Sequence, residues 1–204
     1  MNNEKALASL KQGNQRFLDA ISSESPLNIP LSSLPSQSSQ SPHTIVVSCS
    51  DSRVAPELVF ACGLGELFVV RVAGNIITPS QLGSIEFACQ SFGTRLVVIL
   101  GHSNCGAIEA SVSAMRANHD KSNQDKQNID VVVEEINLAI DALLSHGEDL
   151  HSDEFCAHVE EANVKQVSEN IISRSQILQS MNDLKVVGAK YSLATGEVEF
   201  FDKT

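Results

Sequence analysis

Tryptophan is absent from this 204-residue chain and tyrosine occurs once, so no site built on an indole can exist here. Cationic side chains are scarce: 14 Lys+Arg stand against 25 Asp+Glu, a formal net charge of −11. That balance argues against a nucleic-acid backbone as the main partner. Long apolar runs are missing. The segment Leu96–Leu100 is typical of the longest and is far too short to span a bilayer. Met1 to Ala20 has no apolar core of signal-peptide type, which leads us to expect a soluble, cytoplasmic protein. The five cysteines are odd in number, uneven in spacing and contain no Cys-x-x-Cys pair. They do not suggest a disulfide framework or a thiol redox motif; free, metal-bound or catalytic thiols remain. What is present is an ordinary apolar fraction of 42%, enough for one domain with its own core and no covalent staples.

Two regions differ in character. Leu7, Leu10, Phe17 and Leu18 recur at helical spacing, which predicts an amphipathic helix. Residues 22–42 follow with nine Ser and four Pro (Pro26, Pro30, Pro35, Pro42), an extended stretch that reads either as a linker or as an arm to a partner subunit. We therefore divide the chain into an N-terminal helix and Ser/Pro-rich arm over 1–42 and a single α/β domain over 43–204. In the second region, β-branched runs predict strands at 44–49, 66–72, 95–101 and 184–191. A Gly turn at 194–196 leads into a fifth at 197–201, closing a hairpin. Helices are expected at 56–62, 82–92, 107–117, 129–144 and 155–181, with a polar loop over 118–128. This alternation predicts an α/β fold: a mostly parallel sheet of about four strands, an antiparallel edge strand, and helices on both faces.

In such sheets ligands bind beyond the carboxyl ends of the strands. Here the first strand runs into Cys49-Ser-Asp51-Ser-Arg53 and the third into Gly101-His102-Ser-Asn-Cys105-Gly106. If those strands are neighbours, Cys49, His102 and Cys105 converge. Two thiolates and an imidazole suit Zn²⁺, and three protein ligands leave a fourth position open, the mark of a catalytic zinc. The bland alternative is two buried thiols beside a core histidine. Cys105 sits where a helix begins, which favours a thiolate. Asp51 and Arg53, two apart on a loop, can pair so that the carboxylate stays ionised and oriented; the bland alternative is an exposed loop ion pair of little energetic weight. Zn²⁺ with two thiolates is formally neutral and acidifies water weakly, so a carboxylate that orients the hydroxide gains value.

Together, Cys49-Ser-Asp51-Ser-Arg53-Val54 and Gly101-His102-Ser-Asn-Cys105-Gly106 resemble the β-class carbonic anhydrases. Further agreement lies at Leu10-Lys-Gln-Gly-Asn-Gln-Arg-Phe17, at Gly65 to Asn75 and at Gly83-Ser-Ile-Glu-Phe87. The resemblance implies one zinc per subunit on Cys49, His102 and Cys105, with Asp51 and Arg53 as the catalytic dyad. It implies reversible hydration of CO₂ to bicarbonate and a proton, by attack of zinc-bound hydroxide on CO₂. It implies homodimers, often paired into tetramers, with pockets lined from both subunits and the N-terminal helix reaching across to the partner. It places Gln40, Phe68, Phe87 and Gly106 in the substrate pocket. Phe87 stands where the plant-like branch often has Tyr, so a hydroxyl is missing. The other branch uses a Trp in a regulatory bicarbonate site, which this chain lacks. That argues against a resting state in which Asp51 leaves Arg53 for the zinc. A CS₂ or COS hydrolase using the same zinc centre, and a zinc-stabilised assembly protein without catalysis, are the competing readings.

The remaining residues read more plainly. Cys62, Cys89 and Cys156 are expected as core thiols, and His43, His119, His146, His151 and His158 as surface or loop residues. Gly74-Asn75 is expected to let the backbone turn close to the pocket.

Overall fold

The central strands are continuous apolar runs, and such runs are stable only where both faces of a sheet are covered. In the computed structural model, which describes residues 1–29, 39–117 and 127–201, that is where they lie. Strands β1 (Thr44–Ser48), β2 (Leu67–Arg71), β3 (Leu96–His102), β4 (Lys185–Tyr191) and β5 (Val198–Phe201) form one sheet in the order β2-β1-β3-β4-β5. β1 to β4 are parallel, and β5 pairs antiparallel with β4 at the edge. The five expected strands and the closing hairpin are all present. β1 and β3 are buried along their whole length.

Side-chain alternation divides the core in two. Val46, Val98, Leu100, Val187 and Ala189 face one side, with Leu10 of α1 (Asn3–Ser22) and Phe60 just after α2 (Pro56–Val59). Ile45, Val47, Val97, Ile99 and Val186 face the other. They pack there against Ile85 of α3 (Pro79–Phe92) and Val164 of α6 (Phe155–Asn170). A third cluster lies at the carboxyl ends of the strands. It joins Cys49 and Cys105 to Ile108 of α4 (Gly106–Arg116), Ile136 of α5 (Asn128–Ser145), and Phe155 and Val159 of α6.

Two expectations need correction. The helix read over 155–181 is two helices, because α6 ends at Asn170 and α7 spans Gln176–Gln179. Ser175 makes the break: its side chain accepts from the Leu178 N–H and starts a new turn, while Arg174 is drawn to Glu135 by paired hydrogen bonds of 2.8 and 2.9 Å. α3 starts three residues early, at Pro79, because Pro suits the first helical position and Thr78 and Gln81 form a capping box. The N-terminal helix is seated on its own chain. Gly13 lets it approach so closely that a Cβ there would sit 1.8 Å from the Phe60 carbonyl oxygen. Asn14, only 6% exposed, donates to the carbonyls of Val59 and Gly196 and accepts from the Val198 N–H. Pro30, Pro35, His119 and most of the polar loop over 118–128 lie outside the described residues.

Candidate metal centre

β1 and β3 are adjacent and parallel, with Ser48 opposite Leu100. Their carboxyl ends therefore deliver Cys49 and His102 to one place, and the turn after His102 brings in Cys105. The three donor atoms lie within 4.8 Å of one another, and the residues are 4%, 1% and 0% exposed. The two sulfurs are 4.0 Å apart, far beyond a disulfide bond, and all five cysteines are free.

The donor set fits a soft, tetrahedral cation. His102 Nδ1 lies 2.9 Å from the Ser103 carbonyl, an acceptor only, so Nδ1 carries the proton and Nε2 presents its lone pair. That buried Nε2 has no hydrogen-bond partner in the structure. A buried polar atom left unpaired is costly, and coordination satisfies it. The Cys49 thiol is held well below the ordinary thiol range, chiefly because the Cys105 S–H donates to it, against the opposing effect of burial. The Cys105 thiol is correspondingly raised. Gly74 adds a backbone N–H 3.4 Å from Cys49 Sγ, and its φ of 69° is a left-handed conformation that glycine adopts freely. The expectation for Gly74-Asn75 thus holds, since Asn75 also has a positive φ of 45°.

Asp51 stands beside the donor set. Its Oδ1 accepts from the Arg53 backbone N–H (2.9 Å) and Nε (3.0 Å), and its Oδ2 accepts from Nη2 (2.7 Å). These bonds hold the Asp51 carboxyl well below the usual carboxylate range, more than its partial burial raises it. Arg53 Nη2 also donates to the Asn104 carbonyl (3.1 Å), tying the two motif loops together. Both carboxylate oxygens are thus engaged by Arg53.

Sequence reasoning missed Arg71 as a member of this site. Its Nε donates to the Cys49 carbonyl (3.1 Å) and its Nη2 to the Asp51 carbonyl (2.7 Å), clamping the loop that carries both side chains. The available signal was a charged residue closing an apolar strand; register sets it beside Ser48, next to Cys49.

The pocket residues divide. Gly106 opens α4 directly after Cys105, and a Cβ there would meet open space. Gln40 is exposed and precedes β1. Phe68 pairs with Ile45, four residues before Cys49, so it lies about 13 Å along the strand direction from the donor set. Phe87 packs on Phe68 and Phe92 and is 52% exposed. One chain therefore brings Gly106, but not Gln40, Phe68 or Phe87, to its own metal ligands. Among the other cysteines, Cys62 and Cys89 are buried, and Cys156 is half-buried at the edge of the third core cluster. Of the described histidines, His146 and His151 are exposed and His43 and His158 half-buried, all outside the donor set.

Comparison with known proteins points the same way. A family model described as carbonic anhydrase matches residues 44–198. The chain is 36% identical over 194 residues to a carbonic anhydrase of Mycolicibacterium smegmatis, covering 95% of this chain and 91% of that one. It is 33% identical over 210 residues to carbonic anhydrase 2 of Mycobacterium tuberculosis, covering 97% and 92%. Among solved structures, the Coccomyxa β-carbonic anhydrase in complex with acetazolamide superposes with a TM-score of 0.69 at 26% identity, covering 79% of this chain and 72% of that one.

Proposed function

The chain belongs to the β-carbonic anhydrase family and is an enzyme of that kind; from this premise we propose that it hydrates CO₂ reversibly at a zinc ion held by Cys49, His102 and Cys105. The observation that carries the reading is the buried Cys-His-Cys set, with its unpartnered His102 Nε2, facing a fixed Asp51–Arg53 pair. When bound, zinc supplies the Lewis acidity that lets water give up a proton near neutral pH and attack the CO₂ carbon.

The chain's own residues do the rest. The thiolates of Cys49 and Cys105 balance the charge of a divalent cation, and the Ser103 carbonyl fixes the His102 ring so that Nε2 faces inward. Asp51 Oδ2, fixed by Arg53, would accept a hydrogen bond from the nucleophile that such a zinc supplies and so orient it toward the carbon. Because Arg53 keeps Asp51 ionised, the carboxylate orients without retaining the proton, which passes on to buffer. Gly106, lacking a side chain, leaves room beside Cys105 for the linear substrate. The sum is CO₂ + H₂O giving bicarbonate and a proton.

Gln40, Phe68 and Phe87 lie away from their own chain's metal ligands, and we assign them to the pocket of a partner subunit in a homodimer that can pair further into a tetramer. The catalytic unit is then 43–204, with 1–42 as its helical extension. Among the described residues no helix is long and apolar enough to cross a membrane. Five free cysteines suit a reducing compartment, and we place the enzyme in the cytoplasm. The test is zinc content and stopped-flow CO₂ hydration on one sample. One zinc per chain with hydration well above buffer is expected. A zinc-loaded protein with no rate above buffer at pH 8 overturns the reading; turnover of CS₂ instead reassigns the substrate.

A further inference from the structure

The polar side chains on the buried face of helix α6 include Glu160 (4% exposed) and Asn163 (1% exposed), about one turn apart. Glu160 Oε1 accepts from the backbone N–H of Cys105 (3.3 Å), and its Oε2 pairs with Lys190 Nζ of β4 (2.8 Å). Asn163 Nδ2 donates to the Gly74 carbonyl (2.9 Å), and it is the Gly74 N–H that points to Cys49 Sγ. One helix thus holds the backbone at each of the two thiol ligands, which are 56 residues apart in the chain. The helix is itself seated by two glycines. A Cβ on Gly101 would lie 2.4 Å, and one on Gly188 2.9 Å, from the methyls of Val164, the residue after Asn163.

We propose that Glu160 and Asn163 are positioning residues for the metal centre: α6, lodged on Gly101 and Gly188, sets the separation and aim of Cys49 and Cys105 through Glu160–Cys105 N–H and Asn163–Gly74–Cys49. Neither residue touches substrate. Lys190 Nζ pairs with one oxygen of Glu160 while the other receives the Cys105 N–H, so the contact to Cys105 is anchored from β4 as well as from α6. Groups that orient ligands from behind set how tightly a metal is held, commonly by 10–100-fold.

This inference rests on the zinc reading above, and its test separates the two. Zinc-loaded full-length protein is mixed with excess chromogenic chelator, and release is followed for wild type, Glu160→Gln, Glu160→Ala, Asn163→Ala and Val167→Ala. Val167 is a buried residue of the same helix with no link to the ligands. Asn163→Ala and Glu160→Ala should release zinc roughly 10–100-fold faster. Glu160→Gln, which keeps an oxygen acceptor but loses the charge, should fall between them and wild type. Val167→Ala should lower urea stability yet release zinc at the wild-type rate. In the Co²⁺-substituted protein, Asn163→Ala should shift the thiolate-to-metal charge-transfer band. Wild-type release rates in Asn163→Ala and Glu160→Gln overturn the proposal, as does equal acceleration by Val167→Ala; these two polar variants decide if Glu160→Ala fails to fold. A wild-type chain that binds no zinc defeats the metal reading itself.

Discussion

Asp51 Oδ2 lies 3.9 Å from His102 Nε2, so the carboxylate held by Arg53 stands next to the ring nitrogen left free for a metal. The distance is too long for a hydrogen bond and sets the carboxylate beside the donor set without joining it to His102. Asp51→Ala should therefore retain zinc but lose CO₂ hydration by roughly 100-fold or more. Arg53→Lys should fall short of wild type as well, since a lysine keeps the charge but not the paired donors. Stopped-flow rates with zinc content on each variant check both; Asp51→Ala at the wild-type rate would remove Asp51 from the mechanism.

The seat of α1 gives a second prediction. At Gly13 an added methyl would meet backbone, the Phe60 carbonyl oxygen, and no rotamer change relieves it. Gly13→Ala must push the helix away, strip Asn14 of its bonds to Val59, Gly196 and Val198, and cost about 3 kcal/mol. Urea unfolding measures this. Because α1 lies on the sheet face opposite α6, zinc release should stay at the wild-type rate.

Much of this architecture was legible in the sequence because its signals are local. Val46 and Val47, or Val97 to Leu100, are short β-branched runs that read as buried strands, and Cys49 and His102 stand just past two of them, where ligands bind in such sheets. Ser175 and Thr78 show where local reading fails. Each is a capping residue whose effect depends on a side-chain oxygen reaching a backbone N–H, and the first split one expected helix while the second extended another. Glu160, Asn163 and Arg71 were invisible for a different reason. Their partners, Cys105, Gly74, Cys49 and Asp51, are defined by strand order and by the crossing of α6. The polar character of Glu160 and Asn163 among apolar helix positions, and the charge of Arg71 at the end of an apolar strand, were the only hints of them. Gln40, Phe68 and Phe87 were named by resemblance, yet the sequence did not reveal that β1 separates them from Cys49.

Alkaline pH should expose the two core thiols. Burial pushes the Cys62 thiol up to about 12 and that of Cys89 up to about 11. A thiol whose folded pKa exceeds its unfolded value keeps its proton longer in the native chain. Its contribution is complete below the unfolded pKa, near 8.5–9, and is lost as pH rises through the folded value. Between about pH 9 and 11 stability should fall, with a limiting slope of about 1.4 kcal/mol per pH unit for each thiol. Cys89→Ala should be less stable at pH 8 because it leaves a small cavity, yet flatter across this range. Urea midpoints at pH 8, 9, 10 and 11 for both proteins test this, and parallel curves would refute it.

The separation of Gln40 from Cys49 yields a prediction about assembly. Gln40 is exposed, outside the sheet, and free to change without cost to the core. If it serves a partner's pocket through an amide hydrogen bond to substrate, Gln40→Ala should lower activity about tenfold or more, since ~1.4 kcal/mol of lost transition-state stabilisation is one decade in rate. Asp51→Ala should be nearly inactive. In a dimer with shared pockets, a subunit of each kind makes one doubly defective site and one site with both Asp51 and Gln40 intact. Unfolding and refolding the two variants together should yield mixed dimers as half the population, and recover roughly a quarter of wild-type activity. If Gln40 instead served its own chain's site, every site in the mixture would carry a defect. The mixture would then never exceed the average of the two parents. The same mixing with His102→Ala in place of Asp51→Ala should give the same recovery, with half the zinc content of wild type, because only the Gln40→Ala chains would hold metal.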